Sequence, residues 1–191
     1  MRVSEHPKTS PSSLARLVAD IRAAVQAGGA DDPERSGWRV AAAVAPHLLA
    51  DGLLTPEQSE PDPRSYKQHV LHVEPGGAFS VVALVWLPGQ RTTIHDHVSW
   101  CVTGTYVGAE EEVRYRLVED GAKPCLVPVA VTTNEAGEVD FIVPPGDIHE
   151  VRNSAECTTV SIHVYGADMG RLGSSIRRTY DLPRRPAEVR I

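Results

Sequence analysis

The sequence predicts a mainly β protein, a barrel or sandwich with α-helices packed on its outside. From Tyr66 onward, short apolar or alternating runs recur, each closed by a turn containing glycine or proline. Before Tyr66, apolar residues recur instead at helical spacing. Within the β half lies a His-x-His pair, His95 and His97, which a strand would place on one face because side chains alternate across the pleat.

The first dozen residues read as a flexible lead. Ser12 or Ser13 can cap a helix carrying Leu14, Leu17, Val18, Ile21, Ala24 and Val25, and Gly28-Gly29 ends it. A second helix is predicted over Trp38 to Leu49, stopping or bending at Pro46. Thr55 to Arg64, rich in Pro, Glu, Asp and Ser, is a loop. Strands follow at His69 to Val73, Phe79 to Leu87, Trp100 to Val107, Val113 to Val118, Leu126 to Thr132, Val139 to Val143 and Thr158 to Tyr165. Residues 1–65 are thus a helical segment packed on the barrel, 66–170 the barrel with the site, and 171–191 a basic tail that wraps the surface or is partly mobile, all within one domain.

The bulk properties exclude some classes. A chain of 191 residues can bury a sizeable core. Its formal charge of -6 argues against a nucleic-acid or anionic-membrane partner, and no apolar run approaches a membrane span. The start lacks the apolar stretch of a secretory signal. Cys101, Cys125 and Cys157 are an odd, widely spaced set without a Cys-x-x-Cys pair, which suits reduced thiols and a cytoplasmic protein, and offers little to a zinc ribbon.

His149, just after the Pro144-Pro145-Gly146 turn, can join His95 and His97 from a neighbouring strand. Imidazoles so grouped suit iron, copper, nickel or zinc without choosing among them. Asp96 should face away from the metal, and His6, His47, His69 and His72 have no such context. By the same alternation Cys101 points inward, and Ser161, His163 and Tyr165 share one face as a hydrogen-bond relay or as polar filling. A Ser-His hydrolase is disfavoured, since no Gly-x-Ser-x-Gly turn presents a nucleophile.

Two segments, Gly89-x5-His95-x-His97-x3-Cys101-x6-Gly108 and Pro144-x-Gly146-x2-His149-x3-Asn153, resemble the two motifs of the cupin superfamily, which implies a double-stranded β-helix, or jelly-roll barrel. Cys101 stands where that superfamily usually carries a glutamate ligand. Together with Trp100 and the Ser161-His163-Tyr165 run, the motifs resemble those of the thiol dioxygenases, the cysteine dioxygenase family, over about Tyr66 to Tyr165. The resemblance implies ferrous iron (Fe2+) on His95, His97 and His149, a small-molecule thiol and O2 as substrates, and a sulfinate product. Tyr165 would orient substrate or oxygen, with His163 and Ser161 supporting it. No organic cofactor is implied, and a monomer or small homo-oligomer is expected.

In substrate choice the chain departs from the cysteine-specific enzymes. The run Tyr66-Lys67-Gln68 carries glutamine where they carry an arginine for the substrate carboxylate. That, with Trp100, resembles the 3-mercaptopropionate dioxygenase branch, in which a later arginine binds the carboxylate. Arg171, Arg177 and Arg178 are the candidates here, each equally readable as solvated surface charge. Cysteine, a larger thiol or a thioimidazole are alternative substrates. Cys101 is either a small inward apolar residue or the partner of Tyr165 in a thioether like that of animal cysteine dioxygenases. Another cupin enzyme, or a cupin that only binds a metal or small molecule, would use the same ligands.

Overall fold

Hydrophobic alternation builds two facing five-stranded antiparallel sheets. The computed structural model describes residues 12–28, 32–119 and 123–186. The first sheet has the order β1 (Lys67–Val73), β2 (Ser80–Trp86), β9 (Thr159–Tyr165), β4 (Cys101–Val107), β7 (Val139–Ile142). The second has the order β10 (Ile176–Thr179), β3 (His95–His97), β8 (His149–Asn153), β5 (Ala109–Val118), β6 (Cys125–Glu135). This is the mainly β double-stranded β-helix, a jelly-roll barrel, that the sequence predicts.

Helices α1 (Ser13–Gly28) and α2 (Pro33–Val44) lie outside the first sheet. Leu17, Ile21, Val40 and Val44 pack there on Val81, Ala83, Val102, Ile162 and Val164. Both faces of that sheet are therefore buried, which explains why β2 reads as a continuous apolar run rather than clean alternation and why even the polar residues of β9 are buried. The other side of the same strands, including Val82, Leu84, Trp86 and Tyr165, faces the barrel interior. Burying each large aliphatic side chain there stabilises the fold by roughly 1.5–3 kcal/mol.

Several boundaries differ from the sequence expectation. The second helix starts at Pro33, not Trp38, because Asp32 accepts the Arg35 N–H at 2.9 Å and Pro33 occupies the first turn. It gives way at Ala45 to a 3-10 turn holding Pro46. Ser12 caps the first helix through the Ala15 N–H at 3.1 Å, and the chain remains helical to Gly28. The lead (residues 1–11), Gly29 and the turn at Gly121 lie outside the described residues.

The largest difference is the tail. Residues 171–191 are expected to wrap the surface or be partly mobile; the described part is largely exposed, and within it α3 (Met169–Leu172) leads into β10, which pairs with β3. The basic pattern was misleading because Arg177 and Arg178 reach across to Asp96 on β3, at 2.7 and 3.4 Å, so their charge belongs to an ion cluster. Residues 187–191 lie outside the described part. No helix among the described residues is long and apolar enough to cross a membrane.

Candidate metal centre

Strand β3 places His95 and His97 on the inner face and Asp96 on the outer one. Strand β8 pairs with it so that His149 sits directly opposite His95. Gly146, at φ 104°, makes the turn that delivers His149, a conformation only glycine adopts readily. One potential ligand atom from each imidazole lies within 4.8 Å of the others, and all three residues are buried.

The outward nitrogen of every ring has an acceptor. His95 Nδ1 meets the Thr93 carbonyl at 2.8 Å, His97 Nδ1 the Asp147 carboxylate at 3.2 Å, and His149 Nδ1 the Glu112 carboxylate at 2.6 Å. Each Nδ1 is therefore the protonated nitrogen, and each Nε2 presents a lone pair inward. His95 Nε2 and His97 Nε2 are 3.2 Å apart, and His149 Nε2 is buried without a partner. Two lone pairs at that distance repel unless a cation lies between them. The donor set thus fits a divalent transition metal, with open positions for other ligands.

Electrostatics support the neutral ligand state. Burial and the neighbouring imidazoles push His95 down to about 3, and burial likewise lowers His97 despite Asp147. Burial works against charge on Glu112, but hydrogen bonds from His149 and Arg114 bring it down to about 2. Burial also opposes charge on Asp147, whose bonds from His97 nevertheless hold its carboxyl below the ordinary value. Two anions therefore stand directly behind a three-histidine site that has no carboxylate ligand. The sequence reading missed both. Asp147 was visible within the second motif, whereas choosing Glu112 among Glu110, Glu111 and Glu112 requires the register of β5 against β8.

Opposite the histidines, β9 carries the relay. Tyr165 Oη lies 3.3 Å from His163 Nδ1, and His163 Nε2 lies 2.9 Å from Ser161 Oγ, which also accepts the Trp86 indole N–H at 3.2 Å. Burial pushes His163 down to about 3 and Tyr165 well above its ordinary value, so both are neutral. Cys101 faces Tyr165 directly across the β4–β9 pair, with its Sγ 3.9 Å from His163 Nδ1. Burial raises its thiol to about 12.

A cavity of about 430 Å3, counted out to its mouth, opens on the histidines and is lined by His163, Tyr165, Gln68, Tyr66, Ser174 and Ser175, among others. Gln68 is thus at the site, and Ser161 lies behind His163. Trp100 is not in this cavity: its ring rests on Gly166, where an added Cβ would approach Nε1 to 2.2 Å, and it packs with the helices. Nor does any of the three arginines line it. Arg177 and Arg178 bind Asp96 on the outer face, and Arg171 is exposed in α3. Burial opposes charge on Asp96, but Arg177 and Tyr180 keep its carboxyl below the ordinary value. Among the described residues, His47, His69 and His72 do not line the site. His47 pairs with Asp20 and His72 with Glu74, the buried His69 Nε2 has no partner, and His6 lies outside the described residues.

The family model for cysteine dioxygenase type I matches residues 4–172. The chain belongs to that family. Among solved structures, this chain is similar to an RmlC-like cupin protein from Desulfovibrio desulfuricans, at 19% identity over 62% of this chain and 97% of that one, TM-score 0.43. A conserved protein with a double-stranded β-helix domain from Klebsiella pneumoniae matches at 20% identity over 60% and 88%, TM-score 0.41. A Cupin 2 conserved barrel domain protein from Salinispora arenicola matches at 22% over 61% and 88%, TM-score 0.41.

Proposed function

We propose that this protein is a ferrous thiol dioxygenase that converts a small organic thiol and O2 to a sulfinate. The observation that carries this is the meeting of two constellations in one cavity: three inward Nε2 lone pairs, and a buried Tyr165–His163–Ser161 chain ending beside them. His95, His97 and His149 would hold the iron, which supplies the Lewis acidity that makes a thiol a thiolate and the electrons that activate oxygen. The protein's own residues do the rest. Asp147, Glu112 and the Thr93 carbonyl fix the ring orientations. Tyr165 offers a neutral hydroxyl to substrate or oxygen, and His163 holds that hydroxyl in place.

The substrate's far end meets Gln68, Tyr66, Ser174 and Ser175, which are hydrogen-bonding but neutral. The arginine grip expected for 3-mercaptopropionate has no counterpart among the described lining residues, so we read the pocket as tolerant of thiols with or without a carboxylate. With no Arg or Lys among the lining residues, a substrate carboxylate gains hydrogen bonds there but no ion pair, which removes the usual preference for it.

The test is anaerobic reconstitution with ferrous iron, then oxygen uptake and sulfinate detection on 3-mercaptopropionate, L-cysteine and 2-mercaptoethanol. Sulfinate from 3-mercaptopropionate and 2-mercaptoethanol, with kcat/KM values within roughly tenfold, is expected. No oxygen consumption with any thiol, despite bound iron, ends the dioxygenase reading and leaves a binding module.

A further inference from the structure

Directly behind Ser161 lies a carboxylate that the reaction as described does not use. Glu110, on β5, is fully buried, and neither of its oxygens has a hydrogen-bond partner. It faces the Ser161 hydroxyl and the Trp86 indole from inside the barrel. Holding an ionised carboxylate there without a partner is costly, whereas a protonated one is tolerated. Burial pushes Glu110 up to about 7, so it changes charge near neutrality.

The proposed reaction produces one proton. A thiol and dioxygen yield a sulfinate anion and a proton: the S–H and O–O bonds break, two S–O bonds form, sulfur loses four electrons and dioxygen gains four. The proton must leave a cavity walled by neutral groups. We propose that Glu110 is the terminal acceptor of that proton, delivered through Tyr165, His163 and Ser161, and that it returns the proton to solvent on the far side of the barrel; this rests on the dioxygenase reading above. As Tyr165 takes the thiol proton, it passes its own to His163 Nδ1. His163 passes the Nε2 proton to Ser161, and Ser161, which faces Glu110 without a standing hydrogen bond to it, passes its own once the two groups close to bonding distance. Each donor is neutral before and after the hop, which suits the low basicity of the buried His163.

The far side has an exit. A second cavity, of about 270 Å3 counted out to its mouth, is lined by Glu110, Thr103, Asn134, Glu112, Arg114 and Asp140, among others. Arg114 binds Glu112 and Asp140 at 3.1 and 2.7 Å and is partly exposed, so this cavity reaches the surface beside an ion cluster. Glu112, two residues along β5, repels its charge. Arg114, Asp140 and His149 share the cavity, and His163, Tyr165 and Cys101 stand on the relay side. None of them pairs with it.

The test uses two readouts. In metal-free protein the infrared C=O stretch of a protonated carboxyl should titrate near pH 7 and be absent in Glu110→Gln. In the iron-reconstituted enzyme, Glu110→Gln should lower kcat about 100-fold and erase the limb of the kcat–pH profile near 7, with Glu110→Asp recovering part of both. Wild-type kcat with an unchanged profile in Glu110→Gln, or no carboxyl band titrating near neutrality, overturns the proposal. A lower kcat with an unchanged profile makes Glu110 structural and overturns it as well. If wild-type protein with bound iron oxidises no thiol, the dioxygenase reading fails first and this one with it. If thiols are oxidised normally, only the proton route is at stake.

Discussion

The two sheets treat their histidines in opposite ways. On the second sheet His95, His97 and His149 each turn Nδ1 to a carbonyl or carboxylate, so their tautomers are fixed and Nε2 is left as a lone pair. On the first sheet His163 has only hydroxyls and a thiol within reach: Ser161, Thr103, Tyr165 and Cys101. A hydroxyl donates or accepts, so nothing there dictates which nitrogen holds the proton. One set is built to hold a cation and the other to let a proton move. The same residue type serves both ends because its partners differ in whether they can donate.

Removing one residue from each side should separate these roles most sharply. His149→Ala should abolish stoichiometric metal binding, whereas His163→Ala should keep the metal and lose roughly 100-fold or more in kcat. Metal analysis beside oxygen uptake reads both, and loss of metal in His163→Ala would break the comparison. A smaller effect should follow from neutralising an anion behind the ligands. Glu112→Gln should weaken metal affinity about 10–100-fold, read by competition with a chelator, and unchanged affinity would mean the carboxylate only orients a ring.

Smaller again is a pH effect on stability. Glu110 titrates near 7 folded against an ordinary 4.5, so the folded state holds its proton more tightly. The stability this proton contributes is fully present below about 4.5 and is lost as pH rises through 7. The difference is about 3 kcal/mol. Metal-free Glu110→Gln should therefore melt above wild type at pH 8 and approach it at pH 5; parallel melting curves would remove the buried charge from the account. The smallest change concerns Cys101, opposite Tyr165. If the two join as a thioether, the intact protein after aerobic turnover is lighter by two hydrogens and Cys101→Ser is not. An unmodified mass leaves Cys101 as packing alone.

Much of this was legible in the sequence because it follows from alternation. A single strand aligns His95 with His97, and another aligns Ser161, His163 and Tyr165, so both groups needed only their own segments. What was not legible depends on which strand lies beside which. Glu110, Glu111 and Glu112 look like a solvated acidic run until β8 is laid against β5 and two of them turn inward. Arg177 and Arg178 look like solvated charge or a carboxylate grip until Asp96 is found beneath them. Trp100 follows the paired histidines in sequence, yet sits on the far side of its sheet because Gly166 leaves it a seat there.

The pairing of β10 with β3 also bears on how the chain matures. Arg177 and Asp96 stand 81 positions apart, so the strand bearing His95 and His97 leaves the ribosome long before the one that flanks it. Until then the edge of β3 is bare, the buried Asp96 has no counter-charge, and the mouth lacks Ser174 and Ser175. Metal capture by a nascent chain would therefore meet an unfinished wall. The late segment, and not the histidine motifs, sets the moment at which the site can close.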